Sequence, residues 1–222
     1  MDWAALRISL WLGTGTIVIL LPFGVWFGRL LAVRNFRGKL LVEALVTVPL
    51  VLPPTVLGFY LLVTFGARSP VGQAFQALVG HPLPFSFQGL LLASAIANIP
   101  FVVQPVQRGF EAIPSTVREA AACCGLTPWQ QFRRIELPLA WPGVLTASIL
   151  AFAHTLGEFG VVLMVGGNLP GQTRTLSVAI YDRMQAFDDR SAGIMAATLL
   201  AISVATLMTT TALSRRMSPS RG

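Results

Sequence analysis

Long apolar runs with almost no charge constrain this chain more than any other feature. Five of them are separated by polar segments, at about residues 8–33, 44–67, 88–106, 141–165 and 192–213. The first is free of charge as far as Gly28. A helix of about 20 apolar residues crosses the hydrocarbon of a bilayer, and each run is of that order. Lipid offers backbone amides and carbonyls no partner, so runs this long must satisfy themselves as helices and are too long for barrel strands. The stretch from Phe75 to Val79 is apolar but too short for a sixth span. Composition agrees. Charged residues make up only 11% of the chain and hydrophobic residues 54%, with a mean hydropathy of +0.70, where soluble domains carry about 25% charged residues. The expected fold is an all-α membrane protein with five transmembrane helices in one domain over residues 1–222.

Charge sets the orientation. The net charge is +7, from 15 arginines and one lysine. These side chains lie between the apolar runs and form no continuous stripe, which speaks for a lipid bilayer as partner and against nucleic acid. One set of connections holds Arg29, Arg34, Arg37, Lys39, Arg108, Arg118, Arg133, Arg134, Arg215, Arg216 and Arg221; the other holds Arg7, Arg68, Arg174, Arg183 and Arg190. Eleven against five puts the first set in the cytoplasm, with the N-terminus out and the C-terminus in. Cys123 and Cys124 are the only cysteines. Adjacent cysteines form a strained ring, so no disulfide framework is expected. The N-terminal segment does not read as a cleaved signal peptide.

Prolines punctuate the spans. Pro22 lies in the first, Pro49, Pro53 and Pro54 in the second, and Pro100 and Pro105 in the third. A proline removes a backbone donor and kinks a helix. Three within six residues suggest either a bent helix at a pathway or subunit contact, or simple structural kinking.

The segment at about 107–138 is too polar to span and too regular for a plain loop. Pro114 with Ser115 and Thr116 reads as a helix start, and Thr116 with Glu119 has the spacing of a capping box. Gly125 suits the left-handed residue that ends a helix. Thr127, Pro128 and Gln130 restart one. Two short helices are predicted, turning at Gly125 and ending before Pro138. A short helix outside the bilayer suits docking in a groove on a partner.

Glu119-Ala120-Ala121, then Gly125, Ile135 and Leu137-Pro138 at their spacings, resemble the cytoplasmic signature of binding-protein-dependent ABC importer permeases. The resemblance implies that Arg118, Glu119, Ala120, Ala121, Ala122, Gly125, Leu126, Ile135, Leu137 and Pro138 couple the chain to an ATPase subunit. Pro49–Pro54, the run Gly157-Glu158-Phe159-Gly160 and the segment Asn168–Thr175 with Tyr181 are similar to the molybdate and sulfate branch of that family. The Gly157–Gly160 run is shared with sulfate permeases. Pro53, Pro54, Gly157, Glu158, Phe159 and Gly160 are the candidate gate or pathway residues. The resemblance further implies a type I importer permease fold and a homodimer in a bacterial inner membrane. Its partners would be a cytoplasmic ABC ATPase dimer and a periplasmic or lipid-anchored molybdate-binding protein. The implied cargo is molybdate or tungstate, with sulfate or thiosulfate as the alternative.

No phosphate loop of the GxxxxGK[ST] form occurs, so no cofactor is expected on this chain; ATP and magnesium belong to the partner ATPase. His81 and His154 read as solvated or packed. Glu158 is an acid inside a span, which is costly unless paired, protonated or wet. It reads as a gate residue or as a carboxylate bonding a neighbouring helix end, the second being favoured. A secondary transporter or channel is the rival class, but the chain has no repeated segment and only this one intramembrane acid.

Overall fold

The computed structural model describes residues 1–217, and over them the chain is helical, without strands. The first helix, α1 (Trp3–Val33), is started by Asp2, whose carboxylate accepts from the Ala5 N–H at 2.9 Å and so satisfies one of the orphan amides of the first turn. The most deeply buried helix is α5 (Phe87–Glu111), with Val102, Val103, Val106 and Phe110 fully enclosed. It lies between α1 and α8 (Leu137–Gly157). Leu20 of α1 and Ala140, Val144, Ala147 and Ala151 of α8 pack on Val102, Val106 and Phe110. Ala140, Val144, Ala147 and Ala151 recur every three or four residues, on one helix face. Small residues let backbones approach, which is how helices associate where no hydrophobic drive exists between them. The crossing is tightest at Gly143, where a Cβ would stand 2.7 Å from the Pro105 carbonyl oxygen and 3.0 Å from Gly109 Cα.

Two of the expected spans differ from a simple helix. The run at 44–67 is two helices, α2 (Lys39–Val51) and α3 (Pro54–Phe65), meeting at 108°. Prolines at 22, 100 and 105 are carried inside continuous helices, whereas the adjacent pair Pro53–Pro54 is not. A residue before proline is driven out of the α region, so Leu52 and Pro53 are both extended, with ψ of 137° and 135°. The run at 141–165 is also interrupted. Its helix ends at Gly157, and α9 (Gly160–Gly166) follows a two-residue break.

The second of the two short helices does not stop before Pro138. From α7 (Pro128–Gln131) the chain passes through a π turn (Phe132–Glu136) into α8, one continuous helix over Pro128–Gly157. The Leu137 N–H reaches back five residues to Phe132 O. Pro138 has no N–H for the usual bond four residues back, and the wider turn lets the helix pass it.

Among the described residues, four helices are long and apolar enough to cross a membrane: α1, α5, the Pro128–Gly157 helix and α11 (Asp189–Met217). The bent pair makes a fifth if counted as one span. The ten-residue helices α4 (Pro70–Val79) and α10 (Leu176–Gln185) are too short. Between α5 and α7 lies α6 (Ser115–Cys123). Arg29, Lys39, Glu43, Gln107, Arg118 and Glu136 gather at one end of the bundle through direct side-chain contacts. Arg7, His81 and Gln172 line a groove at the other end. The two charge sets of the sequence therefore have members grouped at opposite ends. Arg215 and Arg216 belong to the last turns of α11, and Arg221 lies outside the described residues.

Replacing Gly143 with valine would force the α5 and α8 backbones apart. The expected effect is a loss of about 1–3 kcal/mol, the usual range for overpacking. Thermal unfolding of the purified protein in detergent checks it; an unchanged Tm would mean that the crossing has slack.

Candidate coupling element and pathway junction

At one end of the bundle, α6 and α7 form a helix–turn–helix. Pro114 precedes the first turn with ψ of 143° and makes no side-chain cap. The expected Thr116–Glu119 capping box is absent, because the helix already starts at Ser115 and Thr116 lies inside it. The helix ends on Gly125, with φ of +74°. Leu126 N–H bonds Ala121 O at 3.3 Å and Gly125 N–H bonds Ala122 O at 2.9 Å, the paired bonds of a Schellman motif. Thr127 then caps α7. Its hydroxyl accepts from Gln130 N–H at 3.3 Å, and the Gln130 side chain accepts from Thr127 N–H at 2.9 Å, a complete reciprocal box.

The expected coupling residues fall into two groups. Glu119, Ala120, Ala122 and Gly125 are exposed, with Cys123, Cys124 and Trp129 beside them, as is Pro138. Ala121 is buried, and Leu126, Ile135 and Leu137 are half-buried. Arg118, also among the expected coupling residues, turns its side chain into its own chain. Its guanidinium donates to Phe110 O at 2.7 Å and Ile113 O at 3.3 Å, orphan carbonyls at the end of α5, and to Glu136 Oε1 at 3.0 Å.

Glu136 is the residue that sequence reasoning missed. It is fully buried at the end of the π turn, and its second oxygen accepts from Arg29 of α1 at 2.5 Å. Arg29 also lies over the Phe132 ring, 5.2 Å from its centroid. One carboxylate thus joins α1, α6 and the start of α8. The available signal was an acid opening an apolar run, Ile135-Glu136-Leu137-Pro138-Leu139, and an arginine closing another, but a separation of 107 residues leaves no periodicity to pair them.

The second constellation lies where the two helix breaks meet. A Cβ on Gly160 would stand 2.7 Å from Pro54 Cβ and 3.1 Å from its carbonyl carbon, so only glycine fits at this contact. Leu57 and Leu61 of α3 belong to one core cluster with Val161 and Val165 of α9. A cavity of about 470 Å3 opens at the junction, lined by Pro54, Thr55, His154, Gly157, Glu158 and Gly160 among others. Of the candidate pathway residues, Pro54, Gly157, Glu158, Phe159 and Gly160 therefore converge, while Pro53 sits exposed beside the bend.

Glu158 bonds a helix end, the favoured of its two readings. It is extended, 6% exposed, and its Oε1 accepts from Val161 N–H at 3.1 Å in the first turn of α9. Its carbonyl accepts from the Ser177 hydroxyl at 2.7 Å, which ties the break to α10. His154 Nε2 lies 3.5 Å from Glu158 Oε2, its ring stacks on Phe101 at 4.1 Å, and its Nδ1 is 3.2 Å from Asn98 Oδ1. Thr16, Ser94, Asn98 and Thr155 extend these polar contacts across α1, α5 and α8. Beyond the break, Phe159 packs on Tyr181 at 5.0 Å. Asn168, with φ of +57°, bonds Asp182 at 2.9 Å and Arg174 at 2.7 Å, which fixes the following loop to α10.

The family described as "Binding-protein-dependent transport system inner membrane component" matches this sequence over residues 21–219. The chain belongs to that family. It is 51% identical over 187 residues to the molybdenum transport system permease protein ModB of Azotobacter vinelandii, covering 84% of this chain and 83% of the relative. It is 37% identical over 207 residues to ModB of Escherichia coli K12, covering 93% and 89%. Among solved structures, an inward-facing MetNI methionine ABC transporter aligns with a TM-score of 0.73 over 98% of this chain and 94% of that one, at 20% identity. A bacterial alginate ABC transporter aligns with a TM-score of 0.78 over 96% and 78%, at 17% identity. At such identities these likenesses concern the fold alone, and the fold is that of an ABC importer permease. The chain is a multi-pass membrane protein of that class.

Removing one partner of a buried ion pair costs about 3–5 kcal/mol. Glu136→Gln leaves Arg29 and Arg118 facing each other without a counter-charge. The expected outcome is a marked fall in Tm in detergent; an unchanged Tm would mean that solvent already neutralises both guanidinium groups.

Proposed function

We propose that this chain is the membrane subunit of an ATP-driven importer of molybdate, acting as a pair of copies. The observation that carries the cargo is the 51% identity to a molybdenum permease along 84% of the chain. Tungstate has the same shape and charge as molybdate and is expected to share the route. Sulfate, also a tetrahedral dianion, is the second reading, favoured by the Gly157–Gly160 run that resembles sulfate permeases.

Several features support this assembly. The bent pair α2–α3 presents Leu40, Leu45, Val51, Phe59, Tyr60 and Val63 outward, an apolar surface for lipid and for a second copy. The junction cavity is not closed off by this chain alone, so a single copy does not enclose a path. The end bearing α6 is read as cytoplasmic, because eleven basic residues in the sequence fall on that set of connections. The exposed face of Glu119, Ala120 and Ala122 is then the seat of a separate ATPase, since small residues admit close approach of a partner. A binding protein delivers the oxyanion at the opposite end. The chain itself binds no nucleotide.

Topology is testable with an impermeant thiol reagent on intact cells, in a background with Cys123 and Cys124 replaced. A cysteine at position 78 should label and one at 36 should not; the reverse inverts the orientation.

The coupling role is tested at Gly125. A valine there must hold φ of +74° at a cost of about 1–2 kcal/mol or more, or deform the turn. Gly125→Val should reach the membrane at normal levels, co-purify less ATPase and abolish molybdate uptake. A full complement of ATPase with normal uptake would overturn the coupling assignment. Uptake of sulfate in preference to molybdate by the unaltered complex would overturn the cargo.

A further inference from the structure

The donors and acceptors around His154 define where its protons are. The Thr155 hydroxyl donates to Ala151 O at 2.8 Å, so its oxygen is the acceptor for Asn98 Nδ2 at 3.0 Å. Asn98 Nδ2 also donates to Ser94 O at 2.8 Å. These two bonds orient the amide, because a backbone carbonyl only accepts. Asn98 Oδ1 is thereby the atom that faces His154 Nδ1, at 3.2 Å. An amide oxygen also only accepts, so Nδ1 carries a hydrogen.

The other ring nitrogen, Nε2, lies 3.5 Å from Glu158 Oε2. In a neutral imidazole with its hydrogen on Nδ1, Nε2 is a bare lone pair. Opposite a carboxylate it would meet another lone pair, in a site where Glu158 is 6% exposed. The arrangement is attractive only with one further proton between Nε2 and Oε2. On nitrogen it makes an imidazolium beside a carboxylate; on oxygen it makes a neutral ring beside a carboxylic acid. The pair sums to zero charge either way. The remaining lining of the cavity, Pro54, Thr55, Ala153, Gly157, Phe159 and Gly160, carries no ionisable group. Phe101 of α5, stacked on the ring, and Ser177 of α10, bonded to the Glu158 carbonyl, are uncharged too.

We propose that His154 is the positioning residue that makes this junction passable to an anion. It shares with Glu158 one proton that cancels the charge of the pair, so that Glu158 Oε1 caps α9 through Val161 without repelling a dianion in the adjoining cavity. Without that proton, an unscreened carboxylate at the wall of the path would act against the cargo. The inference rests on the proposed function, in that the cargo is an oxyanion that passes this junction.

The test is molybdate uptake by the complete importer in cells, with membrane level and ATPase co-purification measured in parallel. His154→Ala, and His154→Gln with its similar volume, should each lower uptake by about tenfold or more, while each double variant with Glu158→Gln should return to within about threefold of Glu158→Gln alone. Recovery of membrane level in the doubles, if the single variants accumulate poorly, points the same way. Single variants that transport at the unaltered rate overturn the proposal. So do doubles as impaired as the singles, or a Glu158→Gln variant as impaired as they are, since the defect would then lie in packing on Phe101 or in the cap of α9 and not in charge. Absence of molybdate uptake in the unaltered complex refutes the cargo reading instead, which keeps the two failures apart.

Discussion

A single buried carboxylate joins three helices at one end of this bundle. Glu136 lies between Arg29 of α1 and Arg118 of α6, at 2.5 and 3.0 Å. Burying one charge is costly unless it is paired and hydrogen-bonded, and here both oxygens are occupied. The geometry depends on the π turn, which ends on Glu136 and bridges the start of the Pro128–Gly157 helix. Arg118 completes the arrangement by closing the carbonyl end of α5. The helix–turn–helix is therefore not an appendage on a flexible loop. Its exposed face is carried by a short helix that Arg118 bonds to the end of α5 and, through Glu136, links to α1 and the start of α8.

The opposite logic governs the junction of the two breaks. There the backbone is interrupted on purpose: prolines end α2, and an extended glutamate ends α8. Irregular backbone at membrane depth is tolerated only where protein or a water-filled cavity satisfies it. Glu158 meets that requirement by capping α9 and accepting from Ser177. Glycine at 160 lets the second break touch the first. The two interruptions are one feature of the fold, although more than a hundred residues separate them in sequence.

Much of this was legible beforehand because it is local. Thr127 and Gln130 make their capping box, and Gly125 takes its left-handed turn, since a few neighbouring residues decide both. Where local signals competed, reading failed. The Thr116–Glu119 box lost to a helix that starts one residue earlier, and the stop expected at Pro138 was overridden by the π turn. Arg118 belongs to the expected coupling set, yet its side chain turns inward to a carboxylate 18 residues away.

The sequence by itself determined the class: apolar runs that only helices can carry through lipid, the basic residues between them, and the spaced residues that resemble the family's signature. These follow from composition and short-range spacing, which the chain displays without folding. Only the tertiary structure decided which charges meet and which breaks coincide. Arg29 with Glu136, and Pro54 with Gly160, are contacts between distant segments. No periodicity encodes them, because they arise from how α1, α5 and α8 pack and from the low dielectric that forces each buried polar group to find its partner.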